Sequence, residues 1–293
     1  MKKVLITGAN SYIVTSFENY IKENFPNEYI VDTVDMIDCS WRNNSFAGYD
    51  SVFHVAGIAH SDGGKISEES SKLYYSVNTE LAVETAKKAK EDGVKQFIFM
   101  SSIIVYGESA PIGKTKFITR DTPVCPANSY GDSKIRAEYG IRSLENESFK
   151  VVIVRPPMVY GKGSKGNYRS LAKIALKTPV FPYVKNERSM LYVENLCEFI
   201  RLMIDNNDQG PFFSQNAEYS NTSELVRMIA TAHDKNVCLV KGFRWGLKLM
   251  SLVTGLFDKA FGNMCYELSM SEYHKDYRIY DLKQSIKKTE SNI

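Results

Sequence analysis

The sequence lacks the features that mark several large classes of protein. Its five cysteines form an odd set with no Cys-x-x-Cys pair and no histidine cluster beside them, so neither a disulfide framework nor a metal site is predicted. The formal net charge is only +3 and the lysines are dispersed, which argues against a nucleic-acid partner. Internal repeats and low-complexity linkers are absent too. We therefore expect an ordinary globular protein with reduced cysteines.

Long apolar runs are scarce as well. Only three apolar residues follow the basic start before the first turn, too few for a signal peptide, so we expect a cytoplasmic protein. The segment 245–257 is apolar enough to suggest a membrane-surface or partner helix, but Lys248 and the glycines interrupt it. We predict that this segment packs within the protein, and we predict no transmembrane segment.

Glycine is also missing where a dinucleotide-binding turn normally carries it. Of the three glycine positions only Gly8 is kept, and Ser11 and Val14 add bulk where the backbone approaches a pyrophosphate. The surroundings still favour a nucleotide site. The turn follows the apolar strand 4–7 and opens a helix whose N-terminus can face phosphate.

An acidic residue after the second strand adds to this prediction. Asp35 could bind both ribose hydroxyls of an adenosine, although Asp32 or Asp38 could take its place. Asp35 would repel the 2′-phosphate of NADP. Arg42 lies close enough in sequence to leave NADP open, so the sequence predicts NAD without excluding NADP.

The first half of the chain alternates apolar strands with helical patterns, which predicts an α/β fold with a doubly wound, Rossmann-like parallel sheet. After residue 160 the pattern loosens. We predict a nucleotide-binding domain at 1–160 and a smaller substrate-binding lobe at 161–293, with some later segments returning to the sheet. The predicted strands are 4–7, 29–34, 51–56, 97–100 and 151–154, and the predicted helices are 12–24, 71–91, 130–145 and 166–176.

The motif Tyr130-Gly-Asp-Ser-Lys134 predicts proton and hydride chemistry. A phenol has a pKa of about 10, so it is a poor base unless a neighbouring cation favours the phenolate. Lys134 could be that cation, because residues four apart share one face of a helix. Ser102, at the end of a predicted strand, would hold the substrate oxygen. Taken alone, the pair is also a common helical pattern without chemistry.

In combination these motifs resemble the extended short-chain dehydrogenase/reductases that modify nucleotide sugars, the NAD-dependent epimerase/dehydratase family. The similarity includes the opening turn from Thr7 to Ile13, the segment His54-Val-Ala-Gly57, the strand end Ser101-Ser102 with Val-Tyr-Gly after it, and Arg155-Pro-Pro-Met-Val-Tyr-Gly161. The resemblance implies that Ser102, Tyr130 and Lys134 are catalytic. The nucleotide-binding residues that it implies are Gly8, Asn10, Ser11, Tyr12, Ile13, Asp35, Val55, Ala56, Gly57, Asn78, Tyr130, Lys134, Pro156 and Met158.

The second lobe carries a further similarity. Arg188-Ser-Met-Leu-Tyr-Val-Glu-Asn-Leu196 resembles the family segment whose arginine grips the diphosphate of a sugar nucleotide. A guanidinium suits this ligand because its planar donors can bind two oxygens at once. The resemblance thus implies that Arg188 binds substrate together with Ser102 and Asn167. A surface arginine that caps a helix is the alternative interpretation.

The family resemblance leaves the reaction open between two choices. The family's 4,6-dehydratases carry an Asp-Glu pair where this chain has Ile103 and Ile104, which cannot move protons, so dehydration is not expected. The resemblance then implies a UDP-sugar 4-epimerase for surface polysaccharide precursors, with a 4-keto-sugar reductase as the alternative. It also implies a homodimer formed by the helices 71–91 and 130–145. A non-catalytic nucleotide-binding sensor or scaffold is the alternative from another class.

Overall fold

A computed structural model describes residues 1–59, 67–111, 114, 116–242 and 263–291. Two features of the sequence lie outside the described residues. They are His60, a loop histidine that is not part of the predicted site, and the apolar segment 245–257.

The central element is a six-stranded sheet in which every neighbouring pair is parallel. Its strand order is β10-β6-β4-β3-β1-β2, numbered along the chain. Val and Phe residues dominate these strands, and β3 and β4 are buried along their whole length, as expected for strands with helices on both faces. The strands are β1 (Lys2–Thr7), β2 (Tyr29–Val34), β3 (Ser51–His54), β4 (Gln96–Met100), β6 (Lys150–Val154) and β10 (Gly210–Phe212).

The sequence predicted the helices near 12–24, 71–91 and 130–145 that accompany this sheet, but it did not predict α6, and the second of these helices needs a correction. The predicted helix 71–91 is interrupted by a wider π-helical turn, Tyr75–Glu80, which carries Asn78. That turn is held open because the Asn78 side chain bonds to groups outside the helix, and such turns often occur at functional sites. The helices are α1 (Tyr12–Asn24), α2 (Glu68–Tyr74), α3 (Leu81–Glu91), α4 (Ser129–Arg142) and α6 (Val193–Asn206).

The chain divides into two compact units. The first comprises Met1–Gly107, Pro123–Pro156 and Cys197–Phe213, and it contains the six-stranded sheet. Strand β10 pairs with β6, so a late segment of the chain joins this sheet. The boundary that the sequence predicts at residue 160 stays a prediction.

The second unit comprises Glu108–Thr122, Pro157–Leu196 and Ser214–Ile293. Its described strands are short and pair two by two: β5 (Phe117–Ile118) with β12 (Cys265–Tyr266), β7 (Met158–Tyr160) with β9 (Met190–Tyr192), and β8 (Val180–Pro182) with β11 (Cys238–Val240). Its helices include α5 (Asn167–Lys177), α7 (Thr222–Ala232) and α8 (Leu282–Glu290). Among the residues that the structure describes, no helix is long and apolar enough to cross a bilayer.

Candidate active site

The turn between β1 and α1 has the backbone shape of a nucleotide-binding turn despite its missing glycines. Gly8 has φ +90° and Asn10 has φ +64°, both in the left-handed region. A Cβ atom at Gly8 would lie 2.9 Å from the backbone of Ala56, so only glycine fits there. Val14, at the third glycine position of the fingerprint, is fully buried, so the helix packs well with this side chain in place.

The N-terminus of α1 has the chemistry that a phosphate needs. Ser11 precedes the helix in an extended conformation, and its side chain makes no capping hydrogen bond. Its hydroxyl is buried without a partner among the described residues. The first turn of α1, which includes Tyr12 and Ile13, carries no acidic residue. An unused hydroxyl beside the N–H groups of a helix start therefore fits an anionic diphosphate.

The acids near the end of β2 differ in what they contact. Asp32 accepts a hydrogen bond from Tyr49, and Asp38 caps a short 3₁₀ turn. Asp35 is exposed and accepts only the Ile37 N–H at 2.9 Å among the described residues. Of the three carboxylates, Asp35 is the best placed in sequence for a ribose, and among the described residues its one hydrogen bond is to the backbone rather than to a side chain.

Arg42, because of which NADP was not excluded, forms an ion pair with Glu84 on helix α3. Its Nη2 donates to Glu84 at 2.6 Å and its Nε donates to the other oxygen of the same carboxylate. The guanidinium also lies 4.8 Å from the centre of the Trp41 ring. An anionic 2′-phosphate would thus compete with Glu84 for Arg42.

The segment after β3 runs close to the π-helical turn. The Val55 N–H donates to Thr7 at 3.3 Å, and Asn78 accepts from the Ile58 N–H at 2.9 Å and donates to the Ile58 carbonyl at 3.0 Å. A Cβ at Gly57 would lie 3.0 Å from Asn78 Oδ1 and 3.2 Å from Lys134 Nζ. Gly57 is therefore required for this close approach.

Helix α4 presents Tyr130 in its first turn and Lys134 one turn later. Asn128 caps the helix by accepting the Gly131 N–H at 2.9 Å, which sets where the helix begins. The Ser102 hydroxyl lies close enough to the Tyr130 phenol to lower its pKa. Lys134 Nζ donates to the Met100 carbonyl at 2.9 Å. The structure thus brings Ser102 near Tyr130, and Lys134 beside Gly57 and Asn78.

Burial sets the protonation of both side chains on α4. It raises the pKa of Tyr130 to about 12, an effect that the Ser102 hydroxyl opposes and Tyr74 reinforces. It lowers the pKa of Lys134 to about 8, and Glu138 opposes that shift. At neutral pH Tyr130 is therefore a phenol and Lys134 is largely protonated. Ser102, rather than Lys134, supplies the contact that favours the phenolate.

Two neighbouring features were missed by the sequence reasoning. Glu138 continues the spacing of Tyr130 and Lys134 by one more turn, which was a usable signal, and it pairs with Arg155 in the interior. His54 is fully buried and its Nδ1 lies 2.8 Å from the Thr7 hydroxyl. Burial lowers the pKa of His54 to about 3, with help from the Lys134 charge, so this histidine is neutral.

The remaining predicted residues lie at the end of a chain segment of the first unit or in the second unit. Pro156, the last residue of its segment in the first unit, accepts the Ile103 N–H at 3.0 Å. In the second unit Met158 begins β7, and Asn167 is exposed at the start of α5. Arg188 exchanges backbone hydrogen bonds with Ser220.

The Arg188 guanidinium lies in a desolvated environment. Burial lowers its pKa, and the Cys265 thiol opposes the shift. Among the described residues, no group of three metal-binding side chains occurs.

Comparison with known proteins identifies the family. The family model described as NAD dependent epimerase/dehydratase family matches residues 4–214. The UDP-glucose 4-epimerase of Vibrio cholerae is 37% identical over 217 residues, which are 72% of this chain and 63% of that protein. The chain therefore spans less than two thirds of this relative's length.

Solved structures share the fold at low sequence identity. A dTDP-4-dehydrorhamnose reductase from Clostridium acetobutylicum is similar with a TM-score of 0.74 and 19% identity, covering 98% of both chains. A UDP-glucuronic acid 4-epimerase from Bacillus cereus, solved in complex with NAD, is similar with a TM-score of 0.70 and 16% identity, covering 98% of this chain and 96% of that one. These similarities confirm the predicted Rossmann-like α/β fold.

The match over residues 4–214 covers most of the chain and agrees with the motifs from which the resemblance was inferred. The chain belongs to the NAD-dependent epimerase/dehydratase family.

Proposed function

We propose that this protein is an NAD(P)-dependent enzyme that oxidises and reduces C4 of a nucleotide-linked sugar, and that its reaction is 4-epimerisation of a UDP-sugar. The observation that carries the proposal is the proximity of the Ser102 hydroxyl to the Tyr130 phenol, with the buried Lys134 one helical turn away. A hydroxyl, a phenol and an ammonium in this order can hold a sugar oxygen and move its proton.

The nucleotide is held, in this proposal, by the turn at Gly8 and the start of α1. The unpartnered Ser11 hydroxyl and the absence of acids in the first turn of α1 support a diphosphate at this position. Asp35 binds the adenosine ribose. We propose NAD rather than NADP because Asp35 is anionic and Glu84 already occupies Arg42.

The chain's own groups supply the proton transfer. When bound, the nicotinamide supplies the hydride acceptor and donor. Ser102 would donate a hydrogen bond to the oxygen on C4, and the ionised form of Tyr130, which Ser102 favours, would take the hydroxyl proton as that carbon becomes a ketone. The ketosugar would then rotate within the site. Tyr130 would return the proton to the oxygen when C4 is reduced again from the opposite face, so no net oxidation would occur.

Reduction of a 4-keto sugar is the second candidate, and one observation favours it. Burial keeps Tyr130 protonated at neutral pH, which suits an acid that protonates a ketone oxygen. The similarity to a dTDP-4-dehydrorhamnose reductase agrees with this alternative at the level of the fold. The relative with 37% identity is a 4-epimerase, and for that reason we keep epimerisation first.

The substrate class follows from the relative and from the second unit. The Vibrio cholerae relative acts on UDP-glucose by its name, and we extend a UDP-sugar to this chain. Arg188 binds the diphosphate in this proposal, and its desolvated guanidinium supports an anionic ligand. Asn167 binds the same substrate. The apolar Ile103 and Ile104 argue against dehydration. We further propose that the product serves surface polysaccharide synthesis in the cytoplasm.

A homodimer is part of the same proposal. Leu73 on α2 and Tyr139 on α4 expose 53% and 60% of their surfaces, and both belong to helices that the family resemblance assigns to the dimer contact. Apolar side chains exposed on neighbouring helices favour association with a second copy.

The test is to identify the nucleotide released when freshly purified protein is denatured, by mass spectrometry. The same preparation is then incubated with UDP-glucose and the sugar at C4 is analysed. Ser11→Asp serves as the matched variant, because a carboxylate would repel phosphate at the helix start.

An epimerase should release close to one NAD per chain and form the C4 epimer without added nucleotide. Protein that purifies without nucleotide, binds added NADPH or NADH and reduces a 4-keto nucleotide sugar would favour the reductase. Protein that binds no nucleotide would exclude both reactions and revive the non-catalytic alternative.

A further inference from the structure

A buried ion pair lies behind the residues proposed to do the chemistry. Arg155 Nε donates to Glu138 at 3.0 Å, and its Nη2 donates to the second oxygen of the same carboxylate. The two side chains expose only 10% and 2% of their surfaces. A bidentate contact of this kind fixes the orientation of both groups.

The pair connects three segments of the first unit. Glu138 lies on α4, and Arg155 follows β6. The Ser101 hydroxyl, next to Ser102 in the chain, donates to Glu138. Arg155 Nη1 donates to the Tyr106 hydroxyl at 2.7 Å, at the end of the 3₁₀ turn that follows Ser102. Glu138 therefore holds the strand end that carries Ser102 against the helix that carries Tyr130.

Glu138 also lies one turn from Lys134 on the same face of α4, where side chains four apart are neighbours. Several described groups surround Lys134. Its Nζ donates to the Met100 carbonyl and lies 4.8 Å from the centre of the Phe99 ring. On the same helix the Glu138 carboxylate raises the pKa of Lys134. From β3 the neutral His54 lies close enough for the Lys134 charge to lower the pKa of the histidine.

We infer that Glu138 is a positioning residue whose carboxylate, fixed in place by Arg155, keeps the Lys134 ammonium charged and the Ser102 segment in place. The inference rests on the proposed function, in which Lys134 must be a cation. Without this carboxylate, burial would favour the neutral amine. Replacement of a buried ion pair by apolar residues often costs no stability, so a stabilising role alone does not account for the pair.

Titration of Lys134 tests the inference without any substrate. Protein labelled with ¹³C at the lysine ε-carbon is titrated by NMR, and the Lys134 signal is assigned by its loss in Lys134→Arg. The wild-type midpoint is expected near the pKa of about 8. In Glu138→Gln, which keeps the shape and removes the charge, the midpoint should fall by about one unit. Glu84→Gln removes an acid of α3 that is paired with Arg42, and it should leave the Lys134 midpoint unchanged.

A second variant covers the case in which Arg155, left unpaired, prevents folding. Glu138→Gln/Arg155→Met removes both charges and should also titrate below wild type. An unchanged midpoint in either folded variant overturns the inference. Because the titration needs no turnover, an inactive wild type would count against the proposed function alone. If wild type is active, the alkaline limb of its pH–rate profile should move down in Glu138→Gln, whereas a merely structural role would lower the rate without moving that limb.

Discussion

The two compact units keep their polar groups in place by different means. In the first unit the candidate site follows the ends of parallel strands: Gly8 after β1, Gly57 after β3 and Ser102 after β4. In the second unit amide and hydroxyl side chains far apart in sequence bond to one another in the interior. A site at strand ends can be recognised from short motifs, and an interior network cannot.

Gln215 and Asn216 illustrate the second arrangement. Gln215 Nε2 donates to the Ser271 hydroxyl at 2.7 Å, and the Ser189 hydroxyl donates to Gln215. Asn216 accepts the Tyr192 N–H at 2.9 Å. Short strands leave many backbone groups unpaired, and side chains must satisfy them when they are buried. Arg188, the predicted diphosphate ligand, belongs to this unit.

The largest effect is expected from the first unit, in Tyr130→Phe. Without the phenolic oxygen no group takes or gives the sugar proton, and turnover should fall by about 10²- to 10⁴-fold. Nucleotide affinity, measured by calorimetry, should stay close to wild type. Tyr29→Phe is the matched control because Tyr29 lies in the same unit and its hydroxyl donates to Asp205 rather than to a site residue. Turnover near wild type in Tyr130→Phe would refute the assignment of chemistry to the first unit.

The next largest effect is on the stability of the first unit, and it comes from the buried His54. Its pKa is about 3 in the folded chain against about 6.5 when unfolded, so unfolding takes up a proton as the pH falls below about 6.5. The stabilisation is complete above that pH and is lost between about 6.5 and 3. The free energy of unfolding should therefore decrease by up to about 1.4 kcal/mol per pH unit from this group.

Urea unfolding at several pH values measures this effect. His54→Asn should flatten the pH dependence of the unfolding free energy, whereas His274→Asn, in the second unit and exposed, should not. Equal slopes for His54→Asn and wild type would show that the buried histidine does not set the acid stability of the sheet.

The smallest effect is expected from the second unit, in Arg188→Ala. Loss of one charged contact to a diphosphate should raise the KM for the nucleotide sugar by about tenfold and leave kcat nearly unchanged. Arg169→Ala, a change on the first turns of α5 at an exposed position, is the control. A loss in kcat rather than in KM would place Arg188 in the chemistry and remove the functional contrast between the units.

Much of the first unit was predictable because its signals are local. Apolar runs of strand length, glycines at turns and the helix pattern around Tyr130 each depend on neighbouring residues, so strands, helices and the placement of Tyr130 and Lys134 on one helix could be anticipated. The π-helical turn at Asn78 could not, because it depends on bonds to Ile58 and Ser133 more than 15 residues away.

The sequence by itself determined the alternation of strands and helices, the parallel sheet and the family, because periodicity and short motifs are properties of adjacent residues. Only the tertiary structure decided that Glu84 occupies Arg42, that Glu138 pairs with Arg155, and that Ser102 rather than Lys134 contacts the Tyr130 phenol. Each of these depends on side chains from different elements meeting in space. Burial, which sets the pKa of Tyr130 and Lys134, is likewise a property of the folded chain.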